Sequence, residues 1–220
     1  MVQVLEGVEL AGRIAAEEWR GGRRVGLRSW LLTTKSRDVA ERVSELYQGA
    51  VVRTTSGGDL HVRKLHARGI MVTVARVAHV RRRLTLENQE GLVHACDGSR
   101  VLPPMPEEGK PCGCPDDLFA RRAAARSGAG PSPDTRLAFC LAAAPELGCF
   151  SFQSSAWQLY ESLESVIHAS RRADGPVQME LALREQRKAT RSGLDVSFTY
   201  PEVHSVRRTS MVKSDLHLAA

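Results

Sequence analysis

The sequence predicts an α+β fold: antiparallel sheets carrying two main helices, with duplicated ferredoxin-like halves as one arrangement, interrupted by a cysteine- and proline-rich central loop insertion. Three observations predict it. "SRDVAERVSELYQG" is an amphipathic helix whose Ala40, Val43, Leu46 and Tyr47 recur at spacings of three and four. "SSAWQLYESLESVIHASRR" is a longer one, with Ala156, Leu159, Tyr160, Leu163, Val166 and Ile167 on one stripe. "PVQMELALRE" and "LDVSFTY" alternate apolar and polar residues, as the two strands of a hairpin with one wet face do.

The elements follow in order. Residues 1–24 read as an irregular or helical lead-in closing on the basic "RGGRR". The first α+β half spans 25–86. It opens with a strand, Val25–Leu32, and Ser36 then caps the first helix, with Gly49 at the position of a C-cap glycine. Two short strands flank the turn signal Ser56-Gly57-Gly58-Asp59, and the β-branched "GIMVTVARVAHV" supplies another. Residues 87–133 form the insertion. It holds seven of the ten prolines and three of the five cysteines, has little periodicity, and contains a short helix in "DDLFARRAAARSG". A loop of that length inside a compact domain needs something to pin it. The second half, 134–203, runs strand ("TRLAFCLA"), turn ("PELG"), strand ("CFSFQ"), helix capped by Ser154 or Ser155, and hairpin, with "DG" at 174–175 ending the helix. Residues 204–220 read as a flexible tail.

Composition narrows the function classes. Lys and Arg number 31 against 25 Asp and Glu, a net charge of +6 and a pI near 9.4, which suits work near nucleic acid or an acidic partner. No run approaches the ~18 apolar residues of a membrane span. The N-terminus carries two glutamates and no basic start, unlike a secretory signal, so a cytoplasmic protein with reduced or metal-bound thiols is expected. None of the seven histidines sits in a metalloprotease motif, and no nucleophile elbow or phosphate-binding loop is present, so the chain is read as not an enzyme. Short arginine clusters occur at Arg20–Arg24, Arg81–Arg83, Arg121–Arg122 and Arg171–Arg172. With aromatics at 5% there is no stacking platform for single strands, and each cluster reads equally well as solvated charge.

The sharpest signal is "HACDGSRVLPPMPEEGKPCGC", a C-x15-C-x-C pattern in the insertion. Thiolates are strong zinc ligands, and a structural zinc normally takes four. His94 lies two residues before Cys96, so on an extended chain both side chains share a side. Two readings stay open from spacing: a structural zinc held by His94, Cys96, Cys112 and Cys114, or three ordinary thiols beside a surface histidine. Cys140 and Cys149 fall in strands and read as small core residues.

Four motifs in order carry a resemblance: "SWLLTTKSRDVAERVSELYQGAVVR", then "ACDGSR" with "KPCGCP", then "DTRLAFCLAAAPELGCFSFQSSAW", then "MELALREQRKATRSGLDVSFTYPEV". Over residues 25–203 the chain resembles the recombination directionality factors that actinobacterial phages encode beside large serine integrases. The resemblance implies an accessory protein, not a recombinase. It would bind the integrase on att-site DNA near its coiled-coil region, with weak or no direct DNA binding, and switch it from joining attP with attB to joining attL with attR, excising the prophage. Relatives often carry cysteine where this chain has Leu92 and near the place of Pro131. With three cysteines kept, three outcomes stay open: His94 restores a fourth ligand, Asp97, Asp116 or water fills the gap, or the metal is lost. The "ARVAHVRRRLTLENQ" segment stands where relatives are Trp-rich. The alternatives are a nucleic-acid-binding or metal-binding protein unrelated to integrase control, and a metal-dependent enzyme.

Overall fold

The computed structural model describes residues 4–5, 7–20, 23–54, 60–173, 175–189 and 193–208. The turn at 56–59, Asp174 of the "DG" signal, Gly21–Gly22 of "RGGRR" and the tail beyond 208 lie outside the described residues. The elements in chain order are β1 (Val4–Leu5), β2 (Val8–Arg20), β3 (Arg23–Thr34), α1 (Arg37–Tyr47), β4 (Ala50–Thr54), β5 (His61–Leu65), β6 (Gly69–Val74), β7 (Val80–Asn88), β8 (Gly91–Cys96), α2 (Leu118–Arg126), β9 (Ser132–Leu141), β10 (Cys149–Ser154), α3 (Trp157–Ala173), β11 (Val177–Ala189) and β12 (Asp195–Arg208). No helix among the described residues is long and apolar enough to cross a membrane.

The fold is α+β, built on one mixed sheet ordered β12-β11-β6-β9-β10-β2-β3-β5-β4. All neighbours are antiparallel except β10 and β2, which join the two halves in parallel. The halves are thus fused edge to edge rather than standing as separate ferredoxin-like units, and β6 of the first half is enclosed between β11 and β9 of the second. One core serves both. Ile14, Trp30, Leu32 and Leu65 on one side and Leu137, Phe139, Phe150, Phe152 and Met179 on the other belong to a single buried cluster, with α1 (Val43) and α3 (Leu159, Leu163, Val166) packed on it.

Several expectations are corrected. The lead-in is not helical or irregular: β2 is a 13-residue strand at the centre of the sheet. Its Ala11, Gly12 and Ala15 blur the alternation that Ile14 and Ala16 obey, and two-sided pairing with β3 and β10 overrides their weak strand propensity. Gly12 is needed because a side chain there would come within 2.9 Å of the Thr33 carbonyl oxygen. Helix α1 is capped by Ser36, whose hydroxyl accepts from the Val39 amide, but its left-handed C-cap is Gln48 (φ 53°), not Gly49. Gly49 instead fits where a Cβ would strike Ser44. The stretch 87–133 is not wholly loop. β7 and β8 form a hairpin that branches from the first half of β9, because β9 is longer than β6 can cover. β12 runs to Arg208, past the expected end at 203. At its other end Leu194, Val196 and Phe198 are exposed, because the hairpin projects there beyond the core.

Strand β2 also caps α3. The Glu17 carboxylate accepts from the Ser155 amide (3.3 Å) and from the hydroxyls of Ser154 and Ser155, while Ser154 Oγ accepts from the Ala156 amide at 3.0 Å. An anion placed just before a helix faces the positive end of its dipole. Glu17→Gln is therefore expected to lower stability by about 1 kcal/mol in chemical denaturation, with little change in the denaturant slope.

Candidate metal centre

The branch hairpin sets up half of the centre. Pairing of Leu86 with His94 and of Leu84 with Cys96 holds both candidate ligands on one side of β8. The chain then turns. Asp97 Oδ1 accepts from the amides of Ser99 and Arg100, both at 2.8 Å, and Gly98 sits at φ 102°, where a Cβ would strike Arg121 Nη1 at 2.6 Å. The proline-rich segment folds back on this turn. Val101 N–H donates to the Lys110 carbonyl, Leu102 N–H to Ala95, and Cys112 N–H to Ser99 (2.9, 2.8 and 2.9 Å), which carries Cys112 and Cys114 back to the end of β8.

The four sequence-predicted ligands meet. His94, Cys96, Cys112 and Cys114 each offer an atom, and all lie within 4.8 Å of one another. Cys96 Sγ is 3.7 Å from Cys114 Sγ, and Cys114 Sγ is 3.6 Å from His94 Nε2. A tetrahedron with Zn–S of about 2.3 Å and Zn–N of about 2.05 Å has S···S edges of about 3.8 Å and S···N edges of about 3.6 Å. Asp97, an alternative ligand, has an oxygen engaged in its own turn, and neither it, Asp116, Leu92 nor Pro131 belongs to the group. Burial pushes the Cys96 thiol well up, aided by the neighbouring Cys114 and Cys112, and burial likewise raises Cys114. Thiolates gathered this closely would need a cation to hold them charged, so uptake of a metal here would displace protons.

Helices α2 and α3 brace the centre. Tyr160 and Leu84 pack on Cys96, with Cys112, Cys114 and Trp157 alongside. The Tyr160 hydroxyl donates to the Asp97 carbonyl at 2.7 Å, and burial pushes it up to about 12. Arg82 lies 3.8 Å over the Tyr160 ring, and its Nε donates to the Tyr160 carbonyl at 2.6 Å. In α2, whose N-cap Asp117 accepts from Ala120 N–H, Arg121 donates to the carbonyls of Gly98 (2.5 Å) and Pro115, and Arg122 pairs with Glu161 of α3. Sequence reasoning placed Tyr160 in a core stripe and missed these arginines. The pairing of Arg82 with a tyrosine 78 residues away has no local signature.

Two of the basic clusters therefore have internal work. Arg81 and Arg83 reach Asp134 at 3.9 and 2.8 Å, as does Arg136 at 3.3 Å. Arg121 and Arg122 clamp the insertion, while Arg171 and Arg172 stand exposed in the last turn of α3. Burial alone would raise the Asp134 carboxyl. The Arg136 and Arg83 charges, with hydrogen bonds from Arg83 and Gln153, outweigh burial and hold it below the ordinary carboxylate range. A depressed folded pKa stabilises above the unfolded value, about pH 4, and that stabilisation is lost as pH falls through the lower folded value. Asp134→Asn should thus cost about 3 kcal/mol at neutral pH, since it removes the carboxylate shared by three guanidiniums on β7 and β9, and the difference from wild type should shrink in acid denaturation below pH 4.

The family model described as Gp3-like, recombination directionality factor-like, matches residues 12–205. That span takes in the metal-ligand group, all three helices and the sheet from β2 into β12. No solved structure matches the chain.

Proposed function

The chain belongs to the recombination directionality factor-like family, and from that premise we propose that it is a non-enzymatic accessory factor. It would bind a large serine integrase on att-site DNA in the cytoplasm of a bacterial host and turn it from integration to excision. The observation that carries this reading is the family match over residues 12–205. The factor acts by binding one synaptic conformation better than the other. A ligand with equal affinity for both would shift nothing, and moving the balance from 1:99 to 99:1 takes about 10⁴-fold preference. The integrase's own serine performs the strand chemistry.

We further infer that His94, Cys96, Cys112 and Cys114 hold a structural zinc. The near-tetrahedral edges of 3.6 and 3.7 Å support it, and four protein ligands leave no position for a substrate or water. This favours a structural over a catalytic metal. Zinc would tie the proline-rich segment to β8, and through Tyr160 to α3, giving the insertion one fixed shape for a partner to read.

Direct nucleic-acid binding is the competing reading, and the engagement of Arg81–Arg83, Arg121 and Arg122 with protein groups weighs against it. Sedimentation of the purified protein with a cognate integrase and with free DNA separates the two. Association with the integrase, alone or on att DNA, and only weak binding to free DNA is expected. Tight, steeply salt-dependent binding to free DNA without integrase association would reverse the assignment.

A further inference from the structure

Cys140 and Cys149 are not part of the metal centre. They are direct cross-strand partners at the loop end of the β9–β10 hairpin, with Sγ atoms 3.0 Å apart. Leu137, Phe139 and Leu141 of β9 and Phe150 and Phe152 of β10 face the main core. Strand alternation therefore sends both thiols to the other face of the sheet, where they are buried, as the sequence suggested. Each retains a small exposure, 8% and 7%.

We propose that Cys140 and Cys149 are a redox-active dithiol that a peroxide closes into a cross-strand disulfide. Directly opposed strand residues lie about 4.5–5.5 Å apart at Cα, inside the about 4.4–6.8 Å that a disulfide spans, so closure needs rotation of two side chains and no backbone movement. The two thiols are also unequal. The hydrogen bond between them holds the Cys149 thiol below its ordinary value against the opposing effect of burial, while that bond and burial push Cys140 up. Cys149 is then the attacking thiolate. It takes the terminal oxygen of the peroxide, the O–O bond breaks, and a sulfenic acid forms as hydroxide leaves and is protonated to water. The Cys140 sulfur, losing its proton, attacks the Cys149 sulfur. The S–S bond forms, the S–O bond breaks, and a second water leaves. Two thiols give up two electrons and two protons, and one hydrogen peroxide becomes two waters. The new bond lies beside the parallel seam with β2, where Cys149 pairs with Leu10, and ties β9 to β10 there.

Mass spectrometry reads this directly, because no Lys or Arg lies between Arg136 and Arg171 and both cysteines fall in one tryptic peptide, 137–171. Zinc-loaded full-length protein is treated with hydrogen peroxide under native conditions, alkylated and digested. The expected result is a 137–171 peptide that lacks two hydrogens, carries no alkyl group, and regains both alkylation sites after dithiothreitol. In Cys140→Ser protein, a dimedone probe should capture Cys149 as sulfenic acid, and in Cys149→Ser protein it should leave Cys140 unlabelled. The proposal is overturned if wild-type Cys140 and Cys149 remain alkylatable while other cysteines oxidise, or if they advance to sulfinic acid or to disulfides with other cysteines. The wild-type readout decides even if a serine variant fails to fold.

Discussion

Protein carrying Cys112→Ser and Cys114→Ser should bind less than half an equivalent of zinc where the parent binds one. Both substitutions remove a thiolate from a four-atom group spanning at most 4.8 Å, and two ligands do not hold a structural zinc. The remaining links of the insertion are backbone hydrogen bonds and clamps from α2 and Tyr160, which order it less. Amide exchange should accelerate by two or more orders of magnitude across residues 97–117 and stay near parent values in β2, β3, β9 and β10, an effect of about 3 kcal/mol of local stability. Because burial raises Cys96 and Cys114, zinc binding releases protons, so parent affinity should fall as pH is lowered. Direct zinc titration in a weakly buffered solution checks the proton release. Full zinc content in the double variant would show that these thiols are not the ligands.

The second large effect is at Tyr160. It is 1% exposed, packs on Cys96 and Leu84, donates to the Asp97 carbonyl and supports the Arg82 guanidinium. Tyr160→Ala removes all four contacts and opens a cavity between α3 and the metal centre, an expected cost of about 4 kcal/mol. Tyr160→Phe keeps the ring and loses one hydrogen bond, so it should cost about 1–2 kcal/mol. Paired denaturant curves check both. If the two variants are equally destabilised, the hydroxyl and not the ring joins the helix to the insertion. The alanine variant should also weaken zinc retention against a chelator, since Tyr160 braces the turn after Cys96.

The candidate ligand group was legible because its signal is local. His94 and Cys96 alternate on one strand, and the cysteines are confined to a segment with no other means of ordering itself. The capped helices and the β11–β12 hairpin were legible for the same reason: their periodicity lies within a single element. What escaped was set by distant partners. Strand β2 is poor in β-branched residues and is made a strand by pairing with β3 and β10. The branch strands β7 and β8 were obscured by "RRRLTLENQ", whose arginines look like solvent-facing charge until Asp134, Tyr160 and Glu164 are brought to them. The fusion of both halves into one sheet through the parallel β2–β10 contact, and the pairing of Cys140 with Cys149 across a hairpin, are likewise facts of topology rather than of any local pattern.

The proposed role is a change in the direction of recombination, and an in vitro reaction with the proposed serine integrase partner reads it. Zinc-loaded protein added to attL and attR substrates should raise product formation from near background to a level comparable with attP and attB joining by the integrase alone, and should suppress that joining in parallel. Unchanged yields in both reactions, with integrase active and the protein folded and zinc-replete, would contradict it.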